Sequence, residues 1–242
     1  MKKLLLIIMI NLVCAAIFAQ TKFIDIYFHY TAEISDKDVK ALVTEYQSKI
    51  KTVKPFSEYA DRIRLLGKKI TRTIVSVDKY DQPVYNQADI RSNHPIGSSL
   101  DIYIITAAPL YAKGGRAAGL PVIFAGSDIT AAELLHETCH AIANLGDEYD
   151  TGIDMTFSER YVSKYPNLTL AYPVPEWEQI KKSSGDEKIG YYPGGLGSPT
   201  GIYHSYPTCL MRDVSEPLCP VCQYYVRKSL KKILSADNDK NF

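Results

Sequence analysis

The sequence contains the pattern H-E-x-x-H at residues 136–140, which is typical of a catalytic zinc site. Residues four apart lie on the same face of a helix, so His136 and His140 can bind one ion. Glu137 lies about 100° further round such a helix and borders the metal without having to bind it. It can then take a proton from a zinc-bound water and pass it to a leaving amine. The pattern therefore predicts one catalytic Zn²⁺, with Glu137 as the catalytic base.

The third ligand is expected in the acidic pair that follows the motif. A catalytic zinc takes three protein ligands and keeps an open position for water. Gly146 can turn the chain back toward the metal, and Asp147 and Glu148 come next. Two acids at a helix C-terminus oppose the helix dipole, which favours a nearby cation. We expect Asp147 to be the third ligand because it is the first carboxylate after the turn, with Glu148 as the alternative.

The motif must be carried by a helix, and a capping signal begins one at the right place. The sequence from Thr130 to Glu133 matches a capping box and predicts a helix that runs to about Asn144, where Gly146 is placed to stop it. Hydrophobic periodicity and turn residues outline the remaining elements. Predicted strands lie at 23–28, 70–77, 100–106 and 121–125; further predicted helices lie at 36–53, 57–66, 176–182 and 221–234; Gly114, Gly115 and Gly119 are expected in a loop or bulged turn.

These elements predict an α+β fold with an α/β-like N-terminal half. Residues 150–220 are rich in Pro, Gly, Tyr and Ser and have little periodicity, so we expect loops there. We expect a single catalytic domain over residues 20–242, with an N-terminal subdomain to about residue 149 and a C-terminal subdomain at 150–242.

Composition excludes several classes of function. The 242 residues are 46% hydrophobic and 23% charged, which is typical of a globular protein and not of a disordered one. The formal net charge of +1 leaves no basic surplus for nucleic-acid binding. We therefore expect no nucleic-acid partner.

The first residues have the three parts of a secretory signal. Lys2 and Lys3 precede an apolar run that ends near Phe18, and the small residue Ala19 follows. This predicts a cleaved signal peptide at residues 1–19; a retained membrane anchor is the alternative, and lipid attachment at Cys14 is disfavoured by the bulky residue before it. We expect an exported protein, periplasmic, cell-surface or extracellular, with no membrane span after signal removal.

Export changes the interpretation of the cysteines. An oxidising compartment permits a disulfide between Cys209 and either Cys219 or Cys222, which would staple the C-terminal region. The spacing from Cys219 to Cys222 also suits a structural zinc, but a closed zinc site takes four ligands and only three cysteines lie close in sequence. A disulfide is the expected arrangement.

Residues 136–149 resemble the signature of the bacterial IgA-peptidase-type zinc metallopeptidases, H-E-x-G-H followed by L-x-D-E-Y. The segments 166–169 before Trp177, 209–212 and 218–222 are also similar to that family. The family is grouped with the metzincins. The resemblance therefore implies a zincin fold, with a twisted mixed sheet, an active-site helix and a loop-rich C-terminal subdomain with a Met-turn. Met211 matches the methionine of that turn, whose implied role is an apolar floor below the zinc.

We also expect specific roles for several other residues. His204 and Tyr149 are candidates to bind substrate or stabilise an oxyanion. Relatives usually have glycine at Cys139, so we expect a small buried residue there. The strand at 122–125 is expected to pair with an extended peptide. The chain also has a weaker similarity to the archaemetzincins, but it lacks their third histidine and a further cysteine.

Together these features predict a secreted, monomeric zinc endopeptidase that acts on a protein or peptide substrate. Cleavage of IgA itself is not implied. The alternative is a catalytically silent zinc-holding or binding protein of the same fold.

Overall fold

The computed structural model describes residues 22–71, 75–77, 83–105, 112–117 and 119–235. The predicted signal peptide at residues 1–19 lies outside the described residues. Within the described part, none of the helices has the length and apolar character needed to cross a membrane.

The N-terminal half is built on a five-stranded mixed sheet. Its strand order is β2-β1-β5-β7-β6, in which the first four strands are parallel and β6 runs antiparallel to β7 at the edge. A short hairpin of β3 and β4 lies outside this sheet. The strands are β1 (Ile24–Tyr30), β2 (Ile63–Lys69), β3 (Val75–Val77), β4 (Pro83–Tyr85), β5 (Ser98–Ile105), β6 (Ala112–Ala117) and β7 (Leu120–Gly126).

The helices of the N-terminal half and the C-terminal helix pack on this sheet, and a second, antiparallel sheet lies in the C-terminal half. The helices are α1 (Asp36–Thr52), α2 (Gln87–Asn93), α3 (Ala131–Ala143), α4 (Glu159–Val162), α5 (Pro175–Ser184) and α6 (Pro220–Ser235), with a 3-10 helix at Phe56–Arg62. The second sheet has the order β8-β10-β9, from β8 (Leu168–Thr169), β9 (Tyr192–Gly195) and β10 (Ser198–His204). The architecture is α+β, as predicted.

The central helix α3 is fixed at both ends. Thr130 accepts a hydrogen bond from the Glu133 amide, and the Glu133 carboxylate accepts one from the Thr130 amide, so the predicted capping box is present. The helix ends at Asn144, which takes the left-handed conformation with φ of 54°. Gly146 was expected to end it, but Gly146 instead permits close approach of the chain to Leu168, because a Cβ there would lie 2.4 Å from Leu168 Cδ1.

A buried hydrogen bond also anchors α3 to α1. Tyr46 is fully buried, and its hydroxyl lies 2.6 Å from Thr138 Oγ1. Thr138 donates to the carbonyl of Leu134, so the Tyr46 hydroxyl is the donor in this pair. The apolar face of α3 packs in a core that also includes residues of β1, α1 and α6.

Three sequence predictions about the sheet are wrong, and a fourth is correct only in part. The predicted helix at 57–66 is a 3-10 helix only to Arg62, because the following residues pair in parallel with β1. Of the predicted strand at 70–77, residues 75–77 form β3, residues 70–71 follow the end of β2, and residues 72–74 lie outside the described residues. Gly114 and Gly115 lie within β6 and not in a loop. Residues 122–125 belong to β7, which pairs on both sides, so the edge available for an extended peptide is that of β6.

Candidate metal centre

His136, His140 and Asp147 form a compact group, which we call the histidine cluster. His136 Nε2 lies 2.9 Å from His140 Nε2, and Asp147 Oδ1 lies 3.0 Å and 3.1 Å from these two nitrogens. Ligand atoms about 2.0–2.1 Å from a tetrahedral ion are about 3.3–3.4 Å apart, close to the spacing of this triangle. The fold therefore brings together the two helical histidines and the first acid after the helix.

The second ring nitrogen of each histidine determines what faces the centre of the triangle. His136 Nδ1 lies 3.0 Å from the carbonyl oxygen of Leu210, and His140 Nδ1 lies 2.5 Å from that of Leu145. A carbonyl oxygen only accepts, so both Nδ1 atoms carry a hydrogen, and each ring in its neutral form directs an Nε2 lone pair inward. Two lone pairs and a carboxylate oxygen then face one another, which is the donor set of a metal site.

The charges in the cluster agree with this arrangement. Burial would raise the pKa of Asp147, but the hydrogen bonds from His136 and His140 hold it well below its usual range. Burial would lower the pKa of His140, but the hydrogen bond and charge of Asp147 raise it to about 9. The cluster thus attracts positive charge, either as a proton on an imidazole or as a metal cation that takes its place.

Glu137 borders this group without belonging to the triangle. Its carboxylate lies within 4.8 Å of the ligand nitrogens of His136 and His140. Glu137 Oε2 accepts a hydrogen bond from the Gly114 amide on β6. A Cβ at Gly114 would lie 2.1 Å from the carbonyl oxygen of Glu137, so only glycine lets the edge strand approach the helix this closely.

Tyr149 lies beside the same cluster. Burial and the carboxylates of Asp147 and Glu137 raise the pKa of Tyr149 to about 12, so its phenol is protonated at neutral pH. The residue is 41% exposed and lines a surface cleft of about 340 Å³, together with Asp150, Arg212 and neighbouring residues. Its position is compatible with the predicted contact to substrate.

Met211 lies in a turn that contacts the histidine cluster through the backbone. The Arg212 amide donates to the carbonyl of Cys209, which closes the turn. Leu210 provides the carbonyl that orients His136, and Met211 is fully buried in the main core. The sequence therefore places an apolar methionine directly after the residue that fixes the ring of His136.

Glu148, the alternative third ligand, points away from His136 and His140. It joins Cys209, Cys219 and Cys222 in a second buried group, the thiol cluster, whose ligand atoms all lie within 4.8 Å of one another. Burial and the neighbouring Cys219 raise the pKa of Glu148 to about 8. The three cysteines are free thiols in the structure, in place of the predicted disulfide.

His204 belongs to the surroundings of Glu148 and not to a substrate site. The ring is 1% exposed, and its Nε2 accepts a hydrogen bond from Arg212 Nη1 at 3.1 Å. Burial and the charge of Arg212 lower the pKa of His204, so the ring is neutral with its hydrogen on Nδ1. The predicted role in substrate or oxyanion binding is not supported by this position.

Two further residues have positions that the sequence could only partly indicate. Cys139 is fully buried on α3, as expected for a small packing residue. Asn167 begins the sequence Asn-Leu-Thr, which matches a glycosylation sequon, but it is also fully buried. Its amide donates to the carbonyl of Gly146 and to Glu148 Oε1, and its oxygen accepts from the Gly146 amide. It holds the segment that carries both acids, a role that no local sequence pattern predicts.

Comparisons with known proteins do not assign the chain to a family. A scan against protein-family models found no match, and a search of curated proteins found no similar sequence. A function must therefore be argued from the geometry of the site.

Proposed function

We propose that the chain is a zinc-dependent endopeptidase whose catalytic ion is held by His136, His140 and Asp147. The observation that carries the proposal is the inward direction of two Nε2 lone pairs toward a carboxylate oxygen. Among the described residues, Glu137 is a further carboxylate near these three ligands, and it is bound by the Gly114 amide. Three protein ligands with one position left for water are typical of catalytic zinc sites, whereas structural sites take four. Zinc bound there would lower the pKa of water and polarise a scissile carbonyl.

Glu137 supplies the proton transfer in this proposal. The Gly114 amide binds Glu137 Oε2 and orients the carboxylate beside the histidine cluster. The carboxylate can accept a proton from the attacking water and return it to the amine of the cleaved bond. Tyr149, protonated at neutral pH, can donate a hydrogen bond to a substrate oxygen.

The substrate is proposed to be an extended peptide that pairs with β6. This strand is at the edge of the sheet order, and its Gly114 touches the catalytic carboxylate. A peptide added to such an edge gains main-chain hydrogen bonds and passes next to Glu137. We also propose that the chain has a zincin fold with a Met-turn at Met211 and that it is exported and monomeric. The motifs at residues 136–149 and in the C-terminal region support membership of the IgA-peptidase-type metallopeptidases.

The experiment is a comparison of metal content and peptide-library cleavage for the wild type and Glu137→Gln. We expect the wild type to bind zinc and cleave peptides. We expect Glu137→Gln to keep the metal and to lose at least about 100-fold in kcat/KM. Glu133→Gln is the matched control, since it lies one turn earlier on α3 and glutamine also serves in a capping box.

Two results would count against the proposal. Equal cleavage by the wild type and Glu137→Gln would remove Glu137 from the reaction. Bound zinc without cleavage of any peptide in the library would favour a silent zinc-holding protein instead.

A further inference from the structure

The thiol cluster is a second set of metal-ligand atoms, separate from the histidine cluster. Its three sulfurs and the Glu148 carboxylate are all buried and lie within 4.8 Å of one another. Ligands of a tetrahedral zinc, with Zn–S bonds of about 2.3 Å, have sulfurs about 3.8 Å apart. Glu148 Oε1 lies 3.2 Å from Cys222 Sγ. Four ligands in this spacing match a closed tetrahedral site.

The hydrogen bonds around the sulfurs suit thiolates. The Cys219 amide lies 3.4 Å from Cys209 Sγ, and the Cys222 amide lies 3.4 Å from Cys219 Sγ, so both sulfurs accept from backbone N–H groups. Ser205 Oγ is 3.7 Å from Cys219 Sγ. Helix α6 begins at Pro220, next to Cys219, and its first turn contains Cys222 but no carboxylate. The positive end of a helix dipole favours the thiolate form that metals bind.

Glu148 has an oxygen that the protein leaves unpaired. Oε1 accepts hydrogen bonds from Asn167 and Cys222, whereas Oε2 has no hydrogen-bond partner among the described residues although Glu148 is 0% exposed. Within the described ranges, the ionisable nitrogen near Oε2 is His204 Nδ1 at 3.8 Å, too far for a hydrogen bond. A buried, unpaired carboxylate oxygen is costly unless a cation binds it.

From these observations we propose that Glu148, Cys209, Cys219 and Cys222 bind a second, structural Zn²⁺. Soft thiolates with one carboxylate select zinc over hard cations such as Mg²⁺ or Ca²⁺. All four positions of a tetrahedron are filled by protein atoms, so this ion has no open position for a water or substrate. The sequence supplied three cysteines, and the fold supplies the missing fourth ligand from the segment after the motif helix.

The position of this second ion gives it a specific structural role. Cys209 begins the turn whose Leu210 carbonyl orients His136, and the Glu148 amide donates to the carbonyl of Met211 at 2.8 Å. Zinc bound by Cys209 and Glu148 would lock this turn to the segment that carries Asp147. It would therefore hold two of the groups on which the histidine cluster depends, without taking part in the reaction.

The test uses cobalt as a spectroscopic substitute for zinc in the purified full-length protein. Thiolate ligands give Co²⁺ a strong sulfur-to-metal absorption in the near ultraviolet, whereas histidine and carboxylate ligands do not. We expect the wild type to bind two metal ions, one per cluster, and to show this absorption. The variant His136→Ala/His140→Ala should bind one ion and keep the absorption, because the thiol cluster is intact. This result is independent of peptidase activity.

Cysteine variants and a thiol count complete the test. Cys219→Ala should bind one ion and lose the sulfur-to-cobalt absorption. Cys139→Ala, which removes a buried thiol outside the cluster, should bind two ions and keep the absorption. If Cys219→Ala does not fold, the double histidine variant still decides. The proposal is overturned if that variant binds no metal, if the wild type lacks the absorption, or if titration of the denatured, unreduced protein shows that two of these thiols are joined in a disulfide.

Discussion

Asp147 and Glu148 are consecutive residues, yet their carboxylates belong to two different clusters. Asp147 Oδ1 lies 3.0 Å from His136 Nε2, and Glu148 Oε1 lies 3.2 Å from Cys222 Sγ. Neighbouring side chains of an extended chain point to opposite sides, so one dipeptide can reach both groups. A change at either cluster therefore acts on the backbone that positions the other.

This relationship predicts separate effects for the two conservative amide variants. Asp147→Asn removes a charged ligand from the histidine cluster, and we expect zinc affinity there to fall at least about 100-fold, with loss of peptide cleavage. Glu148→Gln should weaken the thiol cluster and leave the histidine cluster able to bind, with a smaller loss of affinity through the shared backbone. Competition with a chromophoric chelator measures the metal affinity of each variant, and the sulfur-to-cobalt absorption shows whether the thiol cluster is the one affected. The same loss at the same cluster in both variants would contradict the assignment.

Gly114 is predicted to be intolerant of any side chain. Its Cβ would lie 2.1 Å from the Glu137 carbonyl oxygen and 2.8 Å from the carbonyl carbon, and both are backbone atoms that cannot turn aside. Gly114→Ala should lower the free energy of unfolding by about 1–3 kcal/mol and reduce kcat more than metal affinity, because β6 and Glu137 must separate. Thermal unfolding and peptide cleavage provide the measurements.

Gly67→Ala is the matched control in the same sheet. A Cβ at Gly67 would make only ordinary contacts, the nearest being Tyr30 Cε1 at 3.7 Å. We expect its stability to change by less than about 1 kcal/mol and its activity to be retained. Similar losses in the two variants would show that the close approach at Gly114 is not the cause.

The parts of the site that were predictable from sequence are the local ones. The capping residues Thr130 and Glu133 and the four-residue spacing of the histidines act within one helix, so the sequence alone contains the necessary information. Asp147 was also predictable, because few residues separate it from that helix. The α+β class followed in the same way from the periodicity of individual segments.

The features that were missed depend on partners distant in sequence. Residues 63–69 were assigned in part to a helix because their pairing with β1 cannot be read locally. Glycine residues such as Gly114 favour a loop in a sequence-based prediction. Here the close contact with Glu137 requires a glycine within a strand. Only the fold reveals that Glu148 turns toward three cysteines more than 60 residues away in the chain. Four metal-ligand atoms therefore lie together where a disulfide was expected.

Asn167 should be essential for the conformation of the acidic segment. Its side chain makes hydrogen bonds to both backbone polar groups of Gly146 and to Glu148 Oε1, and all of these are buried. Asn167→Ala leaves them unpaired, so we expect a loss of about 3 kcal/mol in unfolding free energy and weaker metal binding at both clusters. Asn93→Ala removes a single partly buried hydrogen bond to the Asp89 carbonyl and should cost less than about 1 kcal/mol. Denaturant unfolding of the two variants makes the comparison, and equal costs would be inconsistent with this role.

A buried carboxylate on strand β5 should contribute to the acid stability of the fold. Asp101 is fully buried, with His29 Nε2 at 2.9 Å and His94 Nδ1 at 2.5 Å. Burial would raise the pKa of Asp101, but the hydrogen bonds and charges of the two histidines lower it below the ordinary 3.8. A carboxyl group whose pKa is lower in the folded state stabilises the protein above its ordinary pKa, and this contribution is lost as the pH falls through the folded-state value.

Asp101→Asn should therefore lower the free energy of unfolding by about 3 kcal/mol at pH 7, and the difference from the wild type should shrink below about pH 4. Asp36→Asn is the control, because the Asp36–Lys69 pair is exposed and solvent screens it, so its loss should change the free energy of unfolding little. Urea unfolding of the three proteins at pH 7 and at pH 3 tests the prediction. A cost of Asp101→Asn that is the same at both pH values would mean that the charge of Asp101 does not stabilise the fold, and that its hydrogen bonds to His29 and His94 act as neutral packing contacts.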